Sequence, residues 1–434
     1  MLDNYQIFYP NKYTDQEAEA LAKATERANA PTPPDAPFAP KPQAVNYERV
    51  KIYNKAWAPL NPLYNDDAYA EKSPMNGMIA YPCYVQPMGM GPMVPEELGE
   101  RARPFGCEIQ IPGGNFDTEI QYFLPIRPGE TYYPKACGGY IEDCTPEEGA
   151  PYRLFRSVGI AELYNRDGAL VSRSIGSQFT GLIRYLDPSK APAPDMTSMK
   201  HFSLLRECHT YTDDDYEMIK DLWRKEEIRG AEPRYWEDVQ IGDEPVWTCD
   251  GPVTATDLIR YHTDTLFNSN SLREDILNNR LRPMMPTDQY NMHYNDWAMH
   301  FCTLNIPGAR PYYYNTTCRN QILRMVTNWM GDAGLVASVS WRLGQEYHGV
   351  DDYNHFPEGF CRESWLLKVP YLKAAGKYIN AHGMVGDLSI CKGYIYNKYE
   401  DETGKYVEMA AWSETIEGLI TEECRIVVKL PGKA

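Results

Sequence analysis

The chain has 434 residues, 43% of them hydrophobic and 24% charged, and a net charge of −17. That length exceeds one ordinary core and points to two domains. An acidic chain without basic blocks is not built for nucleic acid, because phosphate neutralisation needs clustered Lys and Arg.

No apolar run reaches about 18 residues, so no membrane span is expected. The start, M-L-D-N-Y-Q-I-F-Y-P, has no basic region followed by an apolar core. A secretory signal is therefore not expected, and the chain is read as cytoplasmic. The cysteines number eleven, are scattered, and form no C-x-x-C pair. This predicts free thiols and neither a zinc cluster nor a disulfide framework. No Walker or Rossmann glycine pattern occurs. With 33 Tyr and 34 Pro, the composition favours short strands and turns over a helix bundle.

In chain order, residues 1–44 open with a polar helix beginning after Thr14, where Glu17 completes a capping box. A Pro-rich extended arm follows. Residues 45–186 form a first domain. The stretch Y-F-L-P-I-R-P-G-E-T-Y-Y from Tyr122 reads as strand, P-G turn and strand. The stretch around N-R-D-G at Asn165 reads as a hairpin. Residues 187–233 are a linker whose helix, after Thr212, starts acidic and ends basic, as the helix dipole prefers. Residues 234–434 form a second domain, with a hairpin turning at Gly404 and a terminal strand near Arg425. The halves look like duplicated α+β units, each a sheet wrapped around a central helix.

Three stretches carry a family resemblance. They are Y-W-E-D-V-Q-I-G-D-E-P from Tyr235 followed by G-P-V-T-A-T-D-L-I-R-Y from Gly251, N-P-L-Y from Asn61, and I-P-G-A-R-P-Y-Y-Y from Ile306 leading into the helix around Arg319. In chain order, with the Asn61 stretch first, they resemble the MaoC-like dehydratase/hydratase family. The resemblance implies an α+β fold of two tandem hotdog domains, each an antiparallel sheet around a central helix. It also implies hydration or dehydration of an enoyl/3-hydroxyacyl thioester, usually an acyl-CoA. No cofactor beyond the CoA thioester substrate is implied, and a homodimer is expected.

The family signature is D-x-N-P-x-H. The first half reads P-L-N-P-L-Y, with Pro59 and Tyr64 at the acid and base positions, so this half is expected to be non-catalytic. In the second half, D-Q-Y-N-M-H keeps Asp288 and His293 five apart but shifts Asn291 and lacks the Pro. Directly after the T-D-L-I-R-Y helix, T-D-T-L-F-N-S-N-S fits less well, since Ser271 replaces the His. We favour Asp288 and His293, with residues 266–285 as an insertion. Five residues apart on a helix, two side chains point about 140° apart. Convergence on one water therefore needs Asp288 in the loop before the first turn and His293 on that turn. His suits the task because its pKa lies near neutrality.

The helix start near Asn315 would supply N–H donors to the thioester oxygen, where the family commonly has Gly. Tyr314 and Asn291 would line the substrate, and Arg319 and Arg324 are candidates for CoA phosphates. Plainer roles compete: Asp288 as a helix cap, His293 as a structural histidine, and Arg319 and Arg324 in helix-surface ion pairs. His262 with Asp264 is a rival pair, and the His348–His355 stretch is read as a solvated loop rather than a metal site. Two alternatives remain: a function of a different class, a degenerate hotdog that binds an acyl thioester without turnover, and a related hydro-lyase acting on a cyclic or aromatic acid derivative.

Overall fold

The computed structural model describes residues 2–31, 40–84, 91–101, 114–191, 206–254, 257, 315–343, 364–377, 379, 381 and 383–433. The described helices are α1 (Asp15–Asn29), α2 (Tyr47–Trp57), α3 (Pro62–Asn65), α4 (Asp67–Lys72), α5 (Asp213–Lys225), α6 (Asn315–Met330) and α7 (Pro370–Ala375). The strands of the first half are β1 (Gln43–Ala44), β2 (Glu100–Arg101), β3 (Gly114–Tyr122), β4 (Thr131–Asp143), β5 (Arg153–Tyr164) and β6 (Leu170–Ile183). Those of the second half are β7 (Thr248–Asp250), β8 (Leu335–Leu343), β9 (Ser389–Asp401), β10 (Gly404–Glu414) and β11 (Ile420–Leu430).

These strands join one antiparallel sheet in the order β1-β4-β5-β6-β3-β8-β11-β10-β9-β7, with the two-residue β2 pairing the end of β6. Leaving β2 aside, each half runs first, third, fourth, fifth, second. The second strands of the halves, β3 and β8, meet in the middle, with Ile120 opposite Val339. The chain is thus a double hotdog. In the second half the helix between the first and second strands is α6. In the first half that interval holds α2, α3 and α4. One apolar core runs beneath both halves, from Val50, Tyr53 and Trp57 through Ile120 and Val339 to Ile322, Val326 and Ile426.

Local signals formed as expected. Thr14 Oγ1 accepts from Glu17 N at 3.3 Å, and Glu17 Oε2 accepts from Thr14 N at 2.9 Å. Thr212 and Asp215 cap α5 in the same reciprocal way, at 3.2 and 2.8 Å. Gly168 sits at φ +78° in the β5–β6 turn, in the left-handed region that Gly enters without strain.

One expectation changed in meaning. The strands flanking the P-G turn, β3 and β4, are not partners, because β5 and β6 lie between them. The repeat places its second strand at the centre and its third near the edge, so residues 123–130 cross the sheet end. Two backbone bonds pin that crossing, Ala80 N to Ile126 O at 2.8 Å and Val45 N to Glu130 O at 2.9 Å.

Strand β10 shows why the alternation of K-Y-V-E-M-A-A-W is blunt. Val407, Met409 and Ala411 face the shared core, while Ala410 and Trp412 face a second cluster with Trp365, Leu366, Val369 and Leu372. Both faces are covered, so apolar residues appear at consecutive positions. The family-like stretch at Tyr235 acts as a clip. Trp236 Nε1 donates to Tyr406 O at 2.9 Å, and Gly242 N donates to Ile395 O at 2.8 Å. The clip uses a bulge at Tyr396, where the β9–β10 register shifts and Ile395 turns its backbone outward.

No helix among the described residues is long and apolar enough to cross a membrane. The seven described cysteines that are assigned a state are all free thiols.

Candidate active site

Helix α6 is the central element of the second half. Its apolar residues Ile322, Leu323, Met325 and Val326 are buried, as the core requires, but so are Arg319, Asn320, Gln321, Arg324, Thr327 and Asn328. A helix buried all round is expected to be apolar all round. This one instead places hydrogen-bonding groups on every side, and each needs a partner.

Most partners come from elsewhere in the chain. Arg324 donates to Asp250 Oδ1 at 2.7 Å and Cys249 O at 2.9 Å, and its Nε lies 3.3 Å from Glu226. Asn328 Nδ2 also reaches Glu226, at 2.8 Å. Burial pushes the Glu226 pKa up, against the pull of Arg324. At the C-terminal end, Arg229 N donates to Asn328 O at 3.0 Å and Arg234 Nε to Trp329 O at 2.7 Å. Arg229 and Arg234 thus cover carbonyls that the helix leaves unpaired, at its negative dipole end.

The first half grips α6 through tyrosines. Asn320 Nδ2 donates to Tyr53 Oη at 2.7 Å, and Tyr81 Oη donates to Asn320 O at 3.0 Å. Beyond the helix, Tyr69 Oη donates to Asp332 at 2.7 Å. Of these, Tyr81 is held by Asn54, a fully buried side chain in α2. Its Nδ2 donates to Tyr64 O and Ile79 O, both at 2.9 Å, and its Oδ1 accepts from Tyr81 N at 2.7 Å.

The first-half motif is structural in its contacts. Asn61 caps α3, its Oδ1 accepting from Leu63 N at 3.1 Å, and Pro62 occupies the first helical position. Tyr64 is buried edge-on to Tyr81 at 5.3 Å, and burial drives its phenol pKa up, away from any base role near neutrality.

Next to Asn320, Arg319 faces the first half from one turn inside the start of α6. Its guanidinium lies 4.2 Å from the Trp341 ring centroid. It meets Cys83, whose Sγ is 2.7 Å from Tyr122 Oη. Burial pushes the Cys83 thiol up, with Arg319 pulling the other way. Cys83 itself has φ +71°, unusual for a residue other than Gly.

Of the residues expected at the site, Asp288, Asn291, His293 and Tyr314 lie outside the described residues. Asn315 is the first residue of α6. Arg319 and Arg324 are both in the interior rather than on a helix surface, 1% and 6% exposed. Surface ion pairs are therefore not their role, and Arg324 is already occupied by Asp250 and Glu226. Sequence reasoning missed Asn54, Tyr53, Tyr81, Cys83 and Tyr122. Their one signal was the density of aromatic residues around the N-P-L-Y stretch.

No protein-family model and no curated protein matches the sequence. Solved structures do. A MaoC-like dehydratase is 13% identical, with 90% of this chain and 95% of that chain covered and a TM-score of 0.46. A conserved hypothetical protein from Mycobacterium tuberculosis, described as a double hotdog fold, is 10% identical over 90% and 93%, with a TM-score of 0.40. A MaoC-like dehydratase from Phytophthora capsici is 10% identical over 91% and 96%, with a TM-score of 0.37. By the strand order of its two halves the chain is a double-hotdog protein, and these are the structures it is similar to.

Proposed function

We propose that this protein is a hydro-lyase that adds water to an enoyl thioester, or removes it from the 3-hydroxyacyl thioester, with CoA as the carrier. One observation carries the reading. Helix α6, the central helix of the second half, begins at Asn315, downstream of the Asp288–His293 stretch, in the order that the resemblance requires. Its first turn has backbone N–H groups without intrahelical acceptors and the positive end of the dipole, which suit a developing enolate oxygen.

In this reading Asp288 and His293 hold one water between them. As its oxygen bonds to Cβ, the water gives a proton to the pair, and electrons of the double bond move onto the thioester oxygen. The pair then returns a proton to Cα, so both additions occur on one face. Elimination reverses the steps. The first half, with Pro59 and Tyr64 in place of acid and base, contributes walls rather than proton transfer.

The test is turnover of a panel of enoyl-CoA and 3-hydroxyacyl-CoA esters by the full chain. Asp288→Asn and His293→Gln should each lower kcat/KM by about 10²–10⁴-fold. Turnover that survives both substitutions overturns the site. Binding of the esters without turnover by the unmodified protein would favour the second reading, a thioester-binding hotdog. That reading draws on the shifted Asn291 and the missing Pro.

A further inference from the structure

Four described arginines are buried: Arg153, Arg319, Arg324 and Arg342. Three are neutralised by a protein carboxylate at contact distance. Arg153 meets Glu17 at 2.8 Å, Arg324 meets Asp250 at 2.7 Å, and Arg342 meets Glu423 at 3.1 Å. Arg319 differs. Glu422 attracts its charge, but Nε and Nη2 have no hydrogen-bond partner among the described residues. Leaving two N–H donors of a buried cation unpaired is costly, so native structures rarely do it without a ligand or other group to fill the place.

The identity of the two atoms matters. In the planar guanidinium, Nε–H and Nη2–H lie on one edge and point the same way. That edge is a fork matching the two oxygens of a carboxylate. One face of the guanidinium lies over Trp341, which holds the group in plane, and both N–H groups of the fork are buried without a partner among the described residues. The neighbours Cys83, Tyr122 and Tyr53 are neutral groups with raised pKa values from burial, and Glu422, which attracts the Arg319 charge, hydrogen-bonds neither N–H of the fork. A planar monoanion fits this place better than a phosphate dianion, whose burial would cost more.

We propose that the Nε/Nη2 edge of Arg319 receives a carboxylate on the acyl portion of the ligand, making the substrate the monothioester of a short dicarboxylic acid. The thioester half of this statement rests on the function proposed above. The carboxylate half rests on Arg319 alone. Arg319 lies four residues into α6 from Asn315, about 6 Å along the axis. A short acyl chain can therefore place its carbonyl at the helix start and its carboxylate at Arg319.

The test compares binding of freshly prepared succinyl-CoA, butyryl-CoA and free succinate by calorimetry. The two thioesters have acyl chains of equal length and differ in the terminal carboxylate, and both are saturated, so neither can be hydrated. The unmodified protein should bind succinyl-CoA at least about tenfold more tightly than butyryl-CoA. Arg319→Met should abolish that preference, and Arg319→Lys should keep only part of it, because an ammonium lacks the fork. Equal affinity for the two thioesters overturns the carboxylate site while leaving the thioester reading intact. Binding of free succinate but neither thioester, lost in Arg319→Met, keeps the site and removes the thioester reading. A preference that survives Arg319→Met, or binding of none of the three, overturns the proposal. If Arg319→Met does not fold, the ratio measured on the unmodified protein decides.

Discussion

The two halves share one strand order but fill its inner face with different chemistry. In the first half, α2 and α3 bury Val50, Tyr53, Trp57, Leu63 and Tyr64, and the buried polar residues Asn54 and Asn61 bond backbone groups. In the second, α6 buries two arginines and several amides, and the carboxylates of Asp250 and Glu226 reach Arg324 from other segments. The first half's buried ion pair, Glu17 with Arg153, lies instead under α1, in a cluster with Phe8 and Tyr13. The two halves share the frame, while among the described residues buried charge inside the sheet's curve lies in the second. The uncharged copy reads as scaffold, and the charged copy is where we place the chemistry.

Removing Arg324 should break the contrast most strongly. Arg324→Met leaves Asp250 and Glu226 without their shared cation, and should cost about 3–5 kcal/mol of stability in urea titrations. A cost below about 1 kcal/mol would mean that the second half does not depend on its central charge.

Glu17 provides the matching test in the first half. Burial works against its carboxylate, but Arg153, Thr14 N and Arg184 outweigh it and lower its pKa from 4.5 to about 2. Across that window the unfolded state binds more protons, so stability rises with pH. The contribution is present above pH 4.5 and is lost as pH falls toward 2. Glu17→Gln should cost about 3 kcal/mol at neutral pH and flatten this acid limb. Glu226 runs the other way. Its raised pKa gives a contribution present below its ordinary value and lost as pH rises through the raised one. Melting curves from pH 2 to 7 on the two single Gln variants separate the opposite slopes.

Smaller effects test the scaffold. Asn54→Ala orphans three buried backbone groups and should cost about 2 kcal/mol, with turnover recovering when the protein is assayed well below its Tm. Asn61→Ala removes one cap and should cost about 1 kcal/mol. Tyr64→Phe should change turnover less than about twofold, since proton-transfer groups give far larger effects. A large loss there would mean that the first half takes part in the reaction.

Much of the frame was readable from local chemistry. The capping boxes at Thr14 and Thr212, the turns at Gly168 and Gly404, and the strands around them depend on residues a few positions apart, so short stretches sufficed. The repeat of the two halves was visible in the order of these elements, and the N-P-L-Y stretch carries neither acid nor base in its sequence. Asp288 and His293 stand as sequence-derived assignments, carried by motif spacing.

What the sequence alone could not decide was which polar residues go inside. Arg319 and Arg324 look like surface positions on any helical wheel, because their burial depends on what packs against them. Those partners are distant in the chain: Asp250 and Glu226 come from before the second domain's central helix, while Cys83, Tyr53 and Tyr122 come from the other half. A buried charge is stable only where such groups converge, and convergence is a property of the sheet's strand order. The local elements were therefore written in the sequence, whereas the satisfied charge on Arg324 and the unpaired fork on Arg319 were decided by tertiary packing.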